Sequence, residues 1–226
     1  MDYKLLYEKT KHSISTERLA KIHDVSRKRT RHISVILEDI HYTQNISAVI
    51  RSCDCFGVQD LTIMGQSSQR VNKHVSLGAS QWVDLHRRAF EKKENVLKDF
   101  QKRGYLIYAA CLDDKAQDLN QIQPGNEKIA LVMGNEAEGI SPVTRDLADH
   151  FIKIPMYGFS NSFNISVSAA IILNHLVTKL RESEISWQLS DDELVELRYR
   201  WIKSTLRQGD RIERILEREL AHPNDQ

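Results

Sequence analysis

The sequence predicts an α/β fold in which helices cover both faces of a mostly parallel sheet. The first observation is size and composition, because 226 residues with 41% hydrophobic and 28% charged side chains suit one globular domain with appended elements. The second is the regular alternation of short apolar runs with helix-like segments between residues 32 and 180. That alternation favours parallel strands joined by crossover helices.

The segment before the first strand, residues 1–31, is polar and basic. It contains nine Lys or Arg against four Asp or Glu, and RKRTRH at 27–32 is its densest part. Two interpretations stand for such a run: a solvated charged tail, or a surface that binds a polyanion. The net charge of +1 does not decide between them, since the distribution of charge is what bears on nucleic-acid binding.

The first strand is ISVILEDI, and NISAVIRSCDCFG is the helix that follows it. Asn45 is placed to cap this helix and Gly57 to end it. Four residues of the helix share one face at helical spacing: Ile46, Val49, Ile50 and Cys53. This face is expected in the core, so Arg51 is expected to point elsewhere.

The remaining strands of this region are DLTIM, YLIYAAC, KIALVMG and FIKIPM. FEKKENVLKDFQKRG, which follows the first of these, is an amphipathic helix. Ser141 and Pro142 begin a further helix as its cap and its first residue. The last core helix lies within IPMYGFSNSFNISVSAAIIL, and because it is apolar nearly all round we expect it to be buried.

Residues 184–226 form a charged helical extension. Ser190 and Glu193 have the spacing of a capping box, which begins a helix. Between Arg198 and Arg214 there are six basic residues and two acidic ones. An amphipathic helix packed on its own core and a basic binding surface both fit this composition.

Three polar stretches, HYTQN, GNEAEG and YGFSNSFN, each follow a predicted strand. Ligands of an open parallel sheet bind beyond the carboxyl ends of its strands, so these stretches are the candidate site. GNEAEG has the glycine spacing of a phosphate-binding loop but lacks the lysine, and Glu136 and Glu138 would repel phosphates. No GxGxxG or GxSxG motif is present, which argues against a dinucleotide site and a serine hydrolase. Taken alone, Ser162 and Asn164 would be helix caps.

The three cysteines and nine histidines suggest neither a disulfide framework nor a metal site. Cys53, Cys55 and Cys111 are odd in number and form no CxxC motif, which fits reduced thiols in the cytoplasm. The histidines lack ligand spacing, so no metal is expected. No apolar signal segment and no run of membrane-span length is found, so we expect a cytoplasmic protein without membrane association.

Three stretches together indicate a protein family more specifically than any one of them does: NISAVIRSCDCFGV (45–58), LVMGNEAEGIS (131–141) and IPMYGFSNSFNISVSAAIIL (154–173). In order and spacing they resemble the motifs of the SpoU/TrmH family of SPOUT RNA 2'-O-methyltransferases. The resemblance implies a mostly parallel sheet with a deep C-terminal trefoil knot, S-adenosylmethionine (AdoMet) as cofactor, and a homodimer whose subunits bury the last core helix between them. It also implies a methyltransferase core at 32–183, between a basic RNA-binding extension at 1–31 and a helical extension at 184–226.

The same resemblance assigns roles to individual residues. It implies catalytic roles for Asn45, Arg51, Glu136, Ser162 and Asn164. It implies cofactor contacts for Ala110, Gly134, Ile154, Met156, Ser162 and Phe163. RNA-binding residues are expected at both ends of the chain: Arg27, Lys28, Arg29, Arg31, Arg198, Arg200, Lys203, Arg207 and Arg211.

The role of Arg51 has two interpretations. The family motif implies a general base, with Glu136 expected to orient the arginine and Asn45 to position the arginine or the ribose. A guanidinium is normally a permanent cation, however, so Arg51 could equally hold a substrate phosphate and stabilise a forming alkoxide.

The chain length and basic ends are most similar to family members that methylate a guanosine ribose in the tRNA D-loop. Methylation of ribosomal RNA or of another tRNA position is the first alternative, since the three motifs do not encode the RNA. A non-catalytic RNA-binding homologue is the second alternative, and the intact motif residues argue against it.

Overall fold

The computed structural model describes residues 2–65, 78–89, 92–113, 115–206, 209 and 214. The chain forms two compact units. One unit is Thr30–Trp187, and the other combines Met1–Arg29 with Gln188–Gln226. The two terminal segments, which the sequence presents as separate extensions, therefore belong to one unit.

The described residues form the following elements. The α-helices are α1 (Tyr3–Thr10), α2 (Thr16–Ser26), α3 (Thr43–Phe56), α4 (Lys93–Lys102), α5 (Pro142–Leu147), α6 (Ile165–Glu182) and α7 (Asp191–Thr205). The strands are β1 (Thr30–Glu38), β2 (Val58–Met64), β3 (Asp84–Arg88), β4 (Tyr105–Ala110), β5 (Gln117–Asp118), β6 (Lys128–Met133) and β7 (His150–Lys153). Short 3-10 turns cover Lys11–Ser13, Ala79–Gln81 and Leu119–Gln121.

Across the described ranges the strands form one seven-stranded sheet in the order β3-β2-β1-β6-β4-β7-β5, and each neighbouring pair is parallel. The predicted α/β fold with a mostly parallel sheet is confirmed. Two strands were not predicted. β3 has the charged sequence DLHRR and β5 is only two residues long, so neither carries the apolar run that indicates a strand.

Alternate residues of the central strands supply two cores, one on each face of the sheet. On β1, Ile33, Val35 and Leu37 belong to the core that contains the apolar residues of α3 and α6. Ile36 lies on the other face, in the core that includes Leu97 of α4. This division follows from the period of two in a strand, which turns successive side chains to opposite faces. Both faces of the sheet are therefore covered.

Helix α3 confirms one prediction about its faces and corrects one about its start. Ile46 and Ile50 are buried while Arg51 is exposed, and Gly57 ends the helix with a positive φ of 79°. The prediction that Asn45 caps α3 is wrong, because the N-cap residue is Tyr42 and its side chain makes no capping hydrogen bond. Asn45 lies inside the first turn, so its side chain is not used as the cap of the helix.

The second half of the sheet unit also differs in detail from the sequence prediction. Ser141 caps α5 and Pro142 opens it, as predicted. The strand expected at FIKIPM ends at Lys153, so Ile154 and the residues after it are loop. Helix α6 buries one side within the chain, while Val167 is 43% exposed. The expected burial of its remaining apolar surface between two subunits stays a prediction.

In the other unit, α7 packs against α1 and α2. The predicted capping box is present, with the Ser190 and Glu193 side chains each accepting a hydrogen bond from the other's backbone amide. The buried residues of α7 are Leu197, Tyr199, Trp201 and Ile202. None of the helices within the described ranges has the length and apolarity that a membrane span requires.

Candidate active site

The loops that follow β1, β6 and β7 come together at the carboxyl edge of the sheet. β1 and β6 are neighbours, and β4 separates β6 from β7. In a parallel sheet these strand ends lie at one edge, which is where α/β proteins bind ligands. The three polar stretches singled out in the sequence are therefore parts of a single site.

A cleft of about 570 Å³ lies between these loops. All six residues predicted to contact a cofactor line it: Ala110, Gly134, Ile154, Met156, Ser162 and Phe163. Glu136 and Asn164 also line the cleft. Its remaining apolar lining includes Met133 and Ile152 from the strand ends, so the cleft combines apolar surface with a few polar groups, as small-molecule sites do.

The loop at 134–141 owes its shape to two glycines. Gly134 lies against the backbone of Gly139, so that a Cβ added at Gly134 would be 2.1 Å from the Gly139 carbonyl carbon. Gly139 has a positive φ of 71° and exchanges two backbone hydrogen bonds with Asn135. The Asn135 side chain accepts hydrogen bonds from the backbone amides of Ala137 and Glu138. The loop is therefore tight and has no room for a larger residue at Gly134.

Three predicted catalytic residues, Glu136, Asn45 and Asn164, form a hydrogen-bonded chain that we call the amide network. Asn45 Nδ2 donates to Glu136 Oε1 at 2.7 Å, and Asn164 Nδ2 donates to Asn45 Oδ1 at 3.1 Å. The other oxygen of Glu136 accepts from the backbone amide of His41 at 3.2 Å. One residue from each of the three loop regions is thereby joined to the next, and the orientation of each amide is fixed by its partners.

Asn164 has a second role as the cap of α6. Its Oδ1 accepts hydrogen bonds from the backbone amide of Ser166 at 2.9 Å and from the Ser166 hydroxyl at 2.6 Å. The capping interpretation of Asn164 is confirmed, while Ser162 lies outside the cap. One side chain therefore both begins the helix and joins the amide network.

Replacing Asn164 separates these two roles. We expect Asn164→Ala to lower the free energy of unfolding by about 1 kcal/mol, because α6 loses its N-cap acceptor. Asn164→Asp retains an acceptor for the Ser166 amide but loses the donor to Asn45, so it should unfold close to wild type. Urea denaturation, monitored by circular dichroism, measures the free energy of unfolding of both variants. Equal destabilisation by the two substitutions would contradict a capping role.

Arg51 does not line the cleft in the single chain. It lies on the exposed side of α3, and among the described residues no hydrogen bond or ion pair reaches its guanidinium. The expected contact with Glu136 is therefore not observed, since Glu136 contacts Asn45 and His41. The guanidinium is left available to a group from outside the chain.

Charged residues of both signs line the cleft. Glu136 and Glu138 supply carboxylates, and Arg145 and Lys153 supply cations. Arg145 Nη1 lies 3.4 Å from a carboxylate oxygen of Asp113. The pKa of Asp113 lies below its ordinary value, because the backbone amide of Lys115 donates to its carboxylate and Arg145 lies beside it. No cluster of His, Cys, Asp or Glu suited to a metal ion is found within the described ranges.

Arg145 is a further charged residue of the cleft, and its only signal in the sequence is its position in the helix after GNEAEG. Arg145 lies in α5, four residues after the cap Ser141. Side chains of a helix point toward its N-terminus, so an arginine one turn into α5 is directed toward the cleft from which the helix starts.

The predicted RNA-binding residues before β1 differ in exposure. Arg27 and Lys28 are exposed. Arg29 is 1% exposed, with its guanidinium 5.2 Å from the centre of the Trp201 ring, so the expected surface placement of Arg29 is wrong. The guanidinium of Arg31 contacts carboxylates of Asp60 at 3.0 Å and Asp84 at 2.7 Å, which balance its charge within the sheet unit.

The predicted RNA-binding residues of the C-terminal segment are half-buried where the structure describes them. Arg198 donates to the Ser26 hydroxyl at 2.9 Å, and Arg200 lies 3.4 Å from Glu196. Burial lowers the pKa of Arg198, and the nearby Arg27 cation lowers it further. Lys203 is also half-buried, whereas Arg207 and Arg211 lie outside the described residues.

The fold and the site define a parallel α/β protein whose ligand cleft is built by three loops at the carboxyl edge of the sheet. Residues 32–174 match the SpoU rRNA Methylase family, and the chain belongs to that family.

Relatives of known name and structure agree with this assignment. The chain is 33% identical over 204 residues to the tRNA (guanosine(18)-2'-O)-methyltransferase of Borreliella burgdorferi, covering 90% of this chain and 92% of that protein. The crystal structure of the A. aeolicus TrmH/SpoU tRNA modifying enzyme is similar with a TM-score of 0.76 and 28% identity, over 84% of this chain and 98% of that one. The SpoU methyltransferase AviRb from Streptomyces viridochromogenes, in complex with AdoMet, shares the fold at 21% identity and a TM-score of 0.59, over 71% and 65% of the chains.

Proposed function

We propose that this protein transfers a methyl group from AdoMet to the ribose 2'-oxygen of guanosine 18 in the D-loop of tRNA. The observation that carries the proposal is the amide network, in which the motif residues Asn45, Glu136 and Asn164 meet at the cleft. The named activity of the Borreliella burgdorferi relative, which aligns with 90% of this chain, supports the substrate.

The residues of the cleft fit the proposed cofactor. Ile154 and Met156 supply apolar surface, and Gly134 contributes backbone to the cleft wall. Ala110, Ser162 and Phe163 complete the set that would hold it. Bound AdoMet supplies an electrophilic methyl group. The carboxylates of Glu136 and Glu138 suit a ligand that carries a positive charge.

The amide network would orient the substrate side of the site. Asn45 is held by Glu136 on one side and by Asn164 on the other, so its amide is preorganised before RNA binds. We propose that these groups and the Ser162 hydroxyl place the ribose 2'-hydroxyl at the mouth of the cleft. Preorganised polar groups lower the barrier because they need no reorganisation during the reaction.

We propose that Arg51 binds a phosphate of the RNA substrate and stabilises the negative charge that develops on the 2'-oxygen. Its guanidinium is exposed and has no partner among the described residues, which suits a group that is completed by RNA. A cation at this position stabilises the alkoxide that forms as the hydroxyl proton passes to solvent water. Direct acceptance of that proton by Arg51 is the alternative role.

Further features follow from the family to which the chain belongs. We propose that the motif loops form a C-terminal trefoil knot and that two chains associate as a homodimer in the cytoplasm. Three exposed apolar side chains outside the cleft support an association surface: Tyr157, Phe159 and Val167. A monomer rarely leaves so much apolar surface in one short stretch. Sedimentation at micromolar concentration would separate dimer from monomer.

We propose that the unit formed by the chain ends binds tRNA through its exposed cations. Arg27 and Lys28 are the exposed residues of this set, and Arg198, Arg200 and Lys203 lie on α7 of the same unit. Phosphate contacts by lysine and arginine supply much of the affinity for RNA and weaken as salt rises.

Charge reversal tests this surface. We expect Arg27→Glu/Lys28→Glu to weaken tRNA binding by about tenfold at moderate salt, because two phosphate contacts are lost and repulsion is added. Filter binding over a range of salt concentrations measures the effect, and cofactor binding should stay unchanged. Lys98→Glu/Lys102→Glu on α4 is the matched control, with the same charge change in the other unit. Equal tRNA affinity in both variants would contradict the assignment.

Methylation of ribosomal RNA is the second candidate, and the description of the matched family, SpoU rRNA Methylase, supports it. Methylation of another tRNA position is the remaining alternative. Methyl transfer from labelled AdoMet to tRNA transcripts and to ribosomal RNA fragments in parallel tests both functions. We expect transfer to tRNA. Transfer only to ribosomal RNA would change the substrate, and cofactor binding without transfer to either would indicate a non-catalytic RNA-binding homologue.

A further inference from the structure

Glu38 is a buried carboxylate that the proposed chemistry does not use. It is the last residue of β1, is 1% exposed and does not line the cleft. Burying a carboxylate is unfavourable unless hydrogen bonds or a cation compensate for the lost water. Its partners therefore indicate what the residue is for.

The partners of Glu38 lie at the end of the 134–141 loop and in the helix that follows. Glu38 Oε2 accepts hydrogen bonds from the Ser141 backbone amide at 3.1 Å and from the Thr144 hydroxyl at 2.9 Å. Thr144 is fully buried, and Lys93 Nζ lies 3.9 Å from Glu38 Oε1. The carboxylate thus connects the end of β1 to the point where the 134–141 loop enters α5.

The residues after Glu38 contact the same loop a second time. Asp39 takes a left-handed conformation with φ of 53°, and its amide donates to the Met64 carbonyl at 2.7 Å. This turn brings the backbone amide of His41 to Glu136, at 3.2 Å. Residues 38–41 therefore hold the loop in its middle, at Glu136, and at its end, at Ser141.

The position of Ser141 matters because the two ends of the 134–141 loop are in contact just before this residue. Gly139 and Ile140 directly precede Ser141, and their backbone atoms are the ones packed against Gly134 in the cleft wall. A shift of Ser141 would move this backbone pair relative to Gly134.

We propose that Glu38 is a positioning residue of the cofactor site, which sets the 134–141 loop in its binding shape through Ser141 and Thr144. The inference rests on the proposed function in one respect, namely that this loop contacts AdoMet. Glu38 touches neither cofactor nor RNA and acts through the backbone of the loop.

Calorimetric binding of AdoMet to the full chain, well below the unfolding temperature, tests the proposal. We expect Glu38→Ala to weaken AdoMet binding by about tenfold, the effect of losing hydrogen bonds to a charged group. Glu38→Gln keeps an oxygen acceptor and should recover most of the affinity. Thr144→Val removes only one hydroxyl and should weaken binding by about threefold, which keeps the test open if Glu38→Ala does not fold.

Ser34→Ala is the matched control. Ser34 is fully buried on the same strand, and its hydroxyl donates to the Asp60 carbonyl at 3.2 Å, away from the loop. This variant should lose stability but keep wild-type affinity. Wild-type affinity in folded Glu38→Ala or Thr144→Val would overturn the positioning role and leave Glu38 purely structural. Failure of the wild-type protein to bind AdoMet would instead overturn the proposed function.

Discussion

Gly134→Ala is expected to weaken AdoMet binding severely. The added methyl group would lie 2.1 Å from the Gly139 carbonyl carbon, 2.2 Å from its oxygen and 2.3 Å from the Ile140 amide nitrogen. All three are backbone atoms, so no side-chain rotation relieves the clash and the loop itself must move. We expect affinity to fall by about 100-fold, which corresponds to about 3 kcal/mol of overpacking.

Two other glycines of the same site serve as controls for Gly134. A Cβ at Gly158, in the loop after β7, would meet nothing closer than the Ser160 amide nitrogen at 4.0 Å, so Gly158→Ala should bind normally. A Cβ at Gly139 would meet nothing within 4 Å, but its φ of 71° strains an alanine by about 1 kcal/mol. Gly139→Ala should therefore have an intermediate affinity. Normal binding by Gly134→Ala would mean that the loop does not contact the cofactor.

Arg51→Ala is expected to slow methyl transfer severely while AdoMet still binds. Arg51 does not line the cleft, so cofactor affinity should stay within about twofold of wild type, as for an exposed substitution. Removing one group that stabilises developing negative charge lowers kcat by about 100-fold to 1,000-fold. Single-turnover transfer to tRNA, measured beside calorimetric AdoMet binding, separates the two effects.

Two further variants sharpen the result for Arg51. Arg51→Lys keeps the charge but not the planar fork, so partial activity would indicate a role through charge, and none would indicate paired hydrogen bonds. Cys55→Ala changes another exposed residue of α3, close to the end of the helix, and should retain activity. Activity of Arg51→Ala above about a tenth of wild type would remove Arg51 from the catalytic set, because an electrostatic role predicts a larger loss.

Local patterns predicted most elements of the sheet unit and the cap of α5. The buried face of α3 follows from the spacing of Ile46 and Ile50, and the start of α5 follows from Ser141 and Pro142. Such features depend on residues within a turn or two of one another, which the sequence displays directly. β3 was missed because at the sheet edge its residues are only partly buried, so no apolar run marks it.

Contacts between distant residues account for what the sequence could not predict. Asn45 forms hydrogen bonds with Glu136 and Asn164, which lie 91 and 119 positions further along the chain. No local signal distinguishes such an amide from a helix cap. The RKR run resembled a uniformly solvated surface, yet Arg29 is buried against Trp201 from the other end of the chain. In both cases the tertiary partner, absent from the local pattern, decides the side chain's role.

The most direct test of the proposed function is to map the methylated nucleotide in a tRNA transcript. A methylated 2'-oxygen cannot attack the neighbouring phosphate, so alkaline hydrolysis leaves a single gap in the cleavage ladder. We expect one gap, at guanosine 18 of the D-loop, with wild-type protein and AdoMet, and no gap with Arg51→Ala. A gap at any other nucleotide, or an unbroken ladder while AdoMet is bound, would contradict the proposed function.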